Sequence, residues 1–134
     1  MARILTIDDS ALTRNRVCKI LRSQGFEVLE ASNGKIGLEI IQAENLDCIL
    51  LDLLMPELDG WHLLKILKEQ HIPVPVVVLT ADLQDTTQHR CSDLGAVAVI
   101  HKLPNPSILL EAVSLALSTF SEQSLLVSQP LETH

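Results

Sequence analysis

The stretch Cys48-Ile-Leu-Leu-Asp-Leu-Leu-Met-Pro-Glu-Leu-Asp-Gly60 decides the fold of this chain. Its first four residues are apolar, as in a strand buried on both faces, and they lead directly to Asp52. A proline and the Asp59-Gly60 pair then mark a loop. Because burying a charge is costly unless other groups stabilise it, Asp52 is a candidate functional residue.

The composition is that of a single globular domain. The chain has 134 residues, of which 47% are hydrophobic and 20% are charged, and a chain of this length can bury a core without disulfides or structural metals. The three cysteines, Cys18, Cys48 and Cys91, are far apart and none belongs to a C-x-x-C pair. We expect them to be buried free thiols.

The charge and hydropathy patterns exclude several classes of partner. A net charge of −7 disfavours nucleic-acid binding, which generally requires a basic surface. No apolar run approaches the ~20 residues that span a bilayer. The N-terminus lacks the layout of a signal peptide. We therefore expect a cytoplasmic protein with neither nucleic acid nor a membrane as its partner.

Short apolar segments alternate with longer segments of helical periodicity. The predicted strands are residues 4–7, 26–29, 48–51, 76–79 and 97–100. The predicted buried helix faces are Thr13, Val17, Ile20 and Leu21; Ile36, Ile40 and Ala43; Leu63, Leu64 and Leu67; a weaker set of Thr87, Cys91 and Leu94; and Leu109, Val113, Ala116 and Phe120.

Five strand-helix pairs in alternation predict an α/β fold, a doubly wound parallel sheet with helices on both faces. The acidic residues in the second strand are typical of a sheet edge. Gly25 and Gly95 stand where helices must reverse into strands. We expect one domain over residues 1–120. Residues 121–134 lose the pattern and are interpreted as a C-terminal tail, whose mobility is left open.

Polar residues follow four of the five predicted strands. They are Asp8 and Asp9 after the first strand, Asp52 at the end of the third, Thr80 after the fourth and Lys102 after the fifth; the second strand contributes nothing obvious. Because the carboxyl ends of parallel strands meet at one edge of the sheet, where ligands bind, we expect these side chains to converge.

Three converging carboxylates repel one another, and a hard divalent cation relieves the repulsion. Mg²⁺ prefers oxygen ligands and keeps several waters, so two carboxylates and a carbonyl are enough to hold it. Acids, a metal, the Lys102 ammonium and the Thr80 hydroxyl suit a phosphoryl group. Since no glycine-rich phosphate loop follows the first strand, we expect covalent attachment, with Asp52 as the nucleophile.

These residues, in this order and spacing, resemble the receiver domain of two-component response regulators, of the single-domain chemotaxis type. The resemblance covers residues 2–120. The matching elements are Asp8-Asp9-Ser10, residues 52–60, Leu79-Thr-Ala81, Gly95-Ala96 and Lys102. It implies a flavodoxin-like strand order of 2-1-3-4-5, which would place the second strand at an edge.

The resemblance also implies roles at the acidic cluster. Asp52 would accept a phosphoryl group from a histidine kinase. Asp9 and Asp52 would bind Mg²⁺ directly, Asp8 would act mainly through water, and the backbone carbonyl of Leu54 would complete the protein ligands. Thr80 and Lys102 would contact the phosphoryl group. Self-phosphorylation and self-dephosphorylation would then be the chain's only catalysis.

The sequence departs from the family pattern at three positions. Val99 stands where the family usually has a switching aromatic ring, so we expect activation through the fourth helix and its loop. Leu103 is inserted between the lysine and Pro104, and the isomer of the Leu103-Pro104 bond is left open. Leu54 replaces the polar residue of many relatives, which predicts a long-lived phosphorylated state.

The expected output is a changed surface for a protein partner, formed by the fourth helix, fifth strand and fifth helix, with homodimerisation there left open. We expect a stand-alone receiver, since these 134 residues have no room for a further output domain, and whether the chain is the first domain of a longer protein is left open. The alternatives are a degenerate receiver that acts as a phosphorylation-independent scaffold, an Asp-nucleophile phosphatase of the haloacid-dehalogenase kind and, disfavoured, a flavodoxin-like electron carrier.

Overall fold

A computed structural model describes residues 2–55 and 58–118 of the chain. Five parallel strands form one sheet: β1 (Arg3–Ile7), β2 (Glu27–Ala31), β3 (Cys48–Asp52), β4 (Val76–Thr80) and β5 (Ala98–His101). Their order is β2-β1-β3-β4-β5. The predicted doubly wound sheet and its strand order are confirmed. The predicted tail and Phe120 lie outside the described residues.

Five helices connect or follow these strands: α1 (Ala11–Ser23), α2 (Gly34–Ala43), α3 (Gly60–Glu69), α4 (Asp85–Asp93) and α5 (residues 106–118). The side chains of Ser10, Asn33 and Asp59 each accept a backbone N–H in the first turn of α1, α2 and α3. Helix α4 begins after Gln84 with no side-chain cap. It is therefore the most weakly initiated of these four helices.

The sheet separates two apolar clusters, as expected for helices on both faces. One face packs against α1 and α5 through residues such as Val17 and Val113, and the other packs against α2, α3 and α4 through Ile41, Leu63 and Cys91. All five residues of β3 are buried. The central strand thus delivers Asp52 from within the core to the edge of the sheet.

The predicted face of α3 is confirmed, because Leu63, Leu64 and Leu67 are buried. The predicted face of α2 is wrong for Ile36, which is 39% exposed, and for exposed Ala43, whereas Ile40 packs against the core beside Gly37 and Ile41. A Cβ at Gly37 would lie 2.6 Å from the Ile7 side chain. The helix therefore approaches β1 at Gly37, and in this orientation Ile36 points away from the core.

The strands and reversals otherwise follow the sequence pattern. β2 is an edge strand as predicted, although it runs two residues past the predicted end. Gly25 and Gly95 have φ values of +87° and +96°, which end α1 and α4 in the left-handed region. All three cysteines are free and buried, as predicted. Among the described residues, no helix is both long and apolar enough to cross a bilayer.

Candidate functional site

The three predicted acidic residues converge at the carboxyl edge of the sheet. One carboxylate oxygen each from Asp8, Asp9 and Asp52 lies within 4.8 Å of the other two. Asp8 and Asp52 are buried, whereas Asp9 is exposed. The parallel pairing of β1 with β3 brings these strand ends together. The site is an acidic pocket that is open on the side of Asp9.

The two carboxylate oxygens of Asp8 differ in their hydrogen-bond partners. Its Oδ1 accepts the N–H of Ser10 at 2.8 Å and lies 3.4 Å from the Lys102 ammonium. Its Oδ2 is buried without a hydrogen-bond partner among the described residues. Because buried carboxylate oxygens are nearly always partnered, this orphan oxygen fits a bound cation or its water.

Lys102 reaches the site from the end of β5. Its Nζ donates to Asp52 Oδ2 at 3.0 Å, and its backbone N–H donates to the Thr80 carbonyl at 2.9 Å. Partial burial lowers the pKa of Lys102, but the hydrogen bond and charge of Asp52 and the charge of Asp8 outweigh it. Its pKa is therefore raised, and the ammonium is a permanent positive charge.

One lysine does not compensate three carboxylates. The pKa of Asp52 is raised to about 6. Burial is the main cause, the hydrogen bond from Lys102 opposes it, and the charge of Asp8 adds to it. The Leu54 N–H lies 3.4 Å from Asp52 Oδ1 and also lowers this pKa. The excess negative charge and oxygen-only donors suit a hard divalent cation such as Mg²⁺.

The loop after β3 closes tightly on Asp52. A Cβ at Gly60 would lie 2.6 Å from the Leu53 Cα and closer still to the Asp52 carbonyl oxygen. The Gly60 N–H donates to the Leu53 carbonyl at 2.9 Å. Only glycine permits this approach. Gly60 therefore fixes the backbone beside Asp52 in addition to marking the predicted loop.

Thr80 lies at the end of β4 with its side chain buried. Its Oγ1 accepts the N–H of Asp82 at 3.1 Å. A small cavity of about 70 Å³ lies beside it, lined by Leu53, Leu54, Trp61, Thr80, Asp82 and Thr87. The structure thus brings all the predicted site residues to one edge of the sheet, while their catalytic and metal-binding roles stay predictions.

The Lys102–Pro104 segment follows an unusual path. Leu103 has a φ of +59°, in the left-handed region, and is exposed, while Pro104 is buried. The Leu103-Pro104 bond, left open by the sequence, is trans. The inserted leucine therefore reverses the chain directly after the lysine, and Val99 stays partly buried in β5.

Sequence reasoning missed two contacts near the site. Arg14 of α1 donates to the Asp8 carbonyl at 2.6 Å and pairs with Glu30 of β2 at 3.1 Å, so the second strand does contribute to this edge. Arg90 of α4 lies 4.1 Å from the ring centroid of Trp61 in α3. The acids of β2 were the only available signal for the first contact; no periodicity marks the second.

An acid pair after β1, a single aspartate ending the central strand, a threonine after β4 and a lysine after β5 form the constellation of a receiver domain. The chain matches the family described as the response regulator receiver domain over residues 4–114. It therefore belongs to the family of response regulator receiver domains of two-component systems.

Individual relatives support this family assignment. The chain is 34% identical over 138 residues to the transcriptional regulatory protein PdtaR of Mycobacterium tuberculosis, covering 98% of this chain and 67% of that protein. It is 36% identical to the two-component response regulator ORR5 of Oryza sativa, covering 78% and 80%. The chain spans 53% of a probable transcriptional regulatory protein of Picosynechococcus.

Solved structures have the same fold. A CheY-like response regulator receiver domain protein from Methanospirillum hungatei superimposes with a TM-score of 0.85 at 27% identity, covering 92% of this chain and 98% of that one. The chemotaxis protein CheY4 of Vibrio cholerae gives 0.81 at 29% identity, covering 87% and 99%. The chain is thus similar in extent to isolated receiver domains.

The pKa of Asp52 predicts a pH-dependent stability. Without metal, the pKa of Asp52 in the folded protein is about 6, whereas its ordinary value is 3.8. The folded state therefore binds more protons between these values, and its stability falls as pH rises through them. Asp52→Asn removes this cost. In EDTA we expect a gain of about 1–2 kcal/mol at neutral pH, less than the full shift, because solvent reaches the open side of the pocket and screens the charge.

Urea unfolding of both proteins at neutral pH and at about pH 4 measures this difference, which should shrink at the acidic end. Asp82→Asn is the matched control. Asp82 is exposed and its pKa is lowered by the Gln84 N–H and the Thr87 hydroxyl, so its replacement should bring no gain at neutral pH. A less stable Asp52→Asn variant at neutral pH would contradict the prediction.

Proposed function

We propose that Asp52 accepts a phosphoryl group from a histidine kinase in a Mg²⁺-dependent reaction, and that the protein signals by changing a partner-binding surface. The observation that carries the proposal is the buried Asp8 Oδ2, which has no hydrogen-bond partner in the described part of the chain and lies beside two further carboxylates and the Lys102 ammonium. Family membership supports the same reaction and a cytoplasmic location.

The carboxylates of Asp9 and Asp52 and the backbone carbonyl of Leu54 would hold Mg²⁺, with Asp8 acting through a water. Bound Mg²⁺ compensates the negative charge of the transferring phosphoryl oxygens. A bound cation would also lower the pKa of Asp52 from about 6, so that the carboxylate would stay ionised over a wider pH range. These residues thus make a buried aspartate available as a nucleophile.

In the transfer, a carboxylate oxygen of Asp52 attacks the phosphorus of the phosphohistidine. The O–P bond forms as the N–P bond breaks, and the leaving histidine nitrogen keeps the electron pair. Lys102, already 3.0 Å from Asp52, stabilises the developing charge on the phosphoryl oxygens. The Thr80 hydroxyl, which accepts from Asp82, can donate its own proton to a phosphoryl oxygen.

Incubation with Mg²⁺ and acetyl phosphate, followed by intact mass, tests this function. We expect the wild type to gain one phosphoryl group, and EDTA or Asp52→Asn to abolish the gain. Asp47→Asn is the matched control: this carboxylate accepts the Arg3 N–H at the opposite end of the sheet, and its loss should leave the gain unchanged.

Each alternative predicts a different result. A degenerate scaffold would gain no phosphate and would bind its partner regardless of acetyl phosphate. A phosphatase would turn over a generic phosphate ester. A gain that persists in Asp52→Asn would show that another residue is the acceptor.

Leu54 predicts slow hydrolysis of the aspartyl phosphate. Its side chain is 74% exposed and lines the cavity that Thr80 also lines. An apolar side chain there offers no hydrogen bond to orient an attacking water. Leu54→Asn should shorten the half-life about 3- to 10-fold, below the range for general acid–base catalysis, because an amide can orient the water but does not take its proton.

The decay of the phosphorylated mass after removal of acetyl phosphate measures this half-life. Leu12→Asn is the control, since this leucine of α1 is 76% exposed and undergoes the same chemical change. Equal half-lives for wild type and Leu54→Asn would disprove the role of Leu54.

We propose that the signal leaves through α4, since Val99 supplies no aromatic switch. Asp82 connects Thr80 to this helix: its N–H donates to Thr80, and its carboxylate accepts the Thr87 hydroxyl at 2.7 Å. Cys91 is the one buried residue of α4. Displacement of Thr80 toward a phosphoryl group would therefore shift a helix that has few other attachments.

The contact between Arg90 and Trp61 predicts an optical signal of this movement. Trp61 is the single tryptophan of the chain, and Arg90 covers its ring at 4.1 Å. A shift of α4 should uncover the ring. Phosphorylation should thus increase acrylamide quenching of the Trp61 fluorescence, and Arg90→Met should raise quenching before phosphorylation.

Lys65→Met is the matched control, because Lys65 lines the same groove between α3 and α4 and loses the same charge. It should leave quenching near the wild-type value. Asp52→Asn should show no response to acetyl phosphate. Unchanged quenching in a fully phosphorylated wild type would exclude this route through α4.

The proposed partner surface comprises α4, β5 and α5. β5 forms the edge of the sheet, and its residues Ala98–Ile100 are only partly buried. A protein partner bound there would sense both α4 and the segment that carries Lys102. We propose the same face as the site of any homodimer.

A further inference from the structure

Arg14 lies in the first turns of α1 and forms two bonds in different directions. Its Nη1 donates to the backbone carbonyl of Asp8 at 2.6 Å, and its Nε donates to Glu30 Oε1 at 3.1 Å. The Arg14 side chain is only 17% exposed. The guanidinium therefore joins the turn that carries the acid pair to the end of β2.

Glu30 is itself fixed from a second side. Its Oε2 accepts from Arg22 Nη2 at 3.1 Å, and the same nitrogen also donates to the Val28 carbonyl. Both carboxylate oxygens of Glu30 are thus occupied by arginines. Since Glu30 has little freedom to turn away, it holds the guanidinium of Arg14 in one orientation.

The turn at Asp8 depends on few contacts besides Arg14. The Asp8 N–H donates to the Ala31 carbonyl at 3.1 Å, and Asp8 Oδ1 accepts from the Ser10 N–H and lies 3.4 Å from the Lys102 ammonium. The Asp8 carbonyl belongs to the peptide that joins Asp8 to Asp9. A rotation of that peptide would change the direction of both carboxylates, and the bond from Arg14 opposes this rotation.

We propose that Arg14 is a positioning residue for the metal-binding turn, and that Glu30 acts through Arg14. This inference rests on the proposed Mg²⁺ site. Arg14 does not touch the metal; it fixes the peptide from which two acidic side chains project. Groups that orient metal ligands in this way commonly change metal affinity when they are removed.

The direction in which cation affinity changes on replacing Arg14 distinguishes a positioning role from a purely electrostatic one. Removing a positive charge beside an acidic pocket should tighten cation binding if Arg14 acts only through its field. If Arg14 holds the turn, Arg14→Met should weaken binding despite the loss of that charge. The two accounts therefore predict opposite changes in affinity.

Titration of the full chain with Mn²⁺, followed by the electron paramagnetic resonance signal of the free ion, measures this affinity directly. We expect Arg14→Met to weaken binding about 3- to 10-fold, at or below the low end of the range for orienting groups, because Arg14 acts on the backbone. Arg14→Lys keeps the charge but loses the two-directional fork, so it should also weaken binding.

Arg16→Met is the matched control, since Arg16 is an exposed arginine of the same helix. It should bind Mn²⁺ no more weakly than the wild type. Glu30→Gln should weaken binding, although its loss of negative charge contributes to that result. Circular dichroism confirms that each variant is folded; if Arg14→Met unfolds, Arg14→Lys decides the question.

Unchanged or tighter Mn²⁺ binding by folded Arg14→Met and Arg14→Lys would overturn the positioning role while leaving the proposed function intact. The proposed function is checked separately by the mass gain of the wild type and by loss of Mn²⁺ binding in Asp9→Asn. A wild type that binds no Mn²⁺ and gains no phosphate would overturn both.

Discussion

The repulsion between the buried carboxylates of Asp8 and Asp52 is the constraint on which the rest of the structure depends. The sheet brings the two together because β1 and β3 are parallel neighbours, and each aspartate lies at or just past a strand end. Lys102 contacts both and compensates only part of their charge. Burial raises the pKa of Asp52 and the charge of Asp8 adds to this shift, while the excess negative charge suits the pocket to a cation.

The convergence of the site residues could be predicted from sequence because it follows from topology. Parallel strands end at the same edge, so a polar residue at the end of each apolar run must lie near the others. This argument needs only the order of the elements. It places Asp52, Thr80 and Lys102 correctly without any knowledge of side-chain conformation.

The contacts that sequence reasoning missed depend on side-chain geometry between distant segments. Arg14 and Glu30 are sixteen positions apart on different elements, and no periodicity links them. Arg90 and Trp61 are similarly unmarked. The exposure of Ile36 in α2 has a related cause. The close approach of Gly37 to Ile7 sets the orientation of the helix and outweighs the hydrophobic periodicity that predicted a buried Ile36. Such features follow from packing distances, which periodicity does not encode.

The excess negative charge at Asp52 and the weakly attached helix α4 lie at opposite ends of one chain of contacts. Asp52 is held in a charged state that the fold disfavours, and α4 is held by one buried residue and a few polar contacts. Lys102 joins Asp52 to the Thr80 backbone, and Asp82 joins Thr80 to Thr87 of α4. The proposed route through α4 follows from this difference, because α1, α2 and α3 each bury several residues against the sheet and would cost more to move.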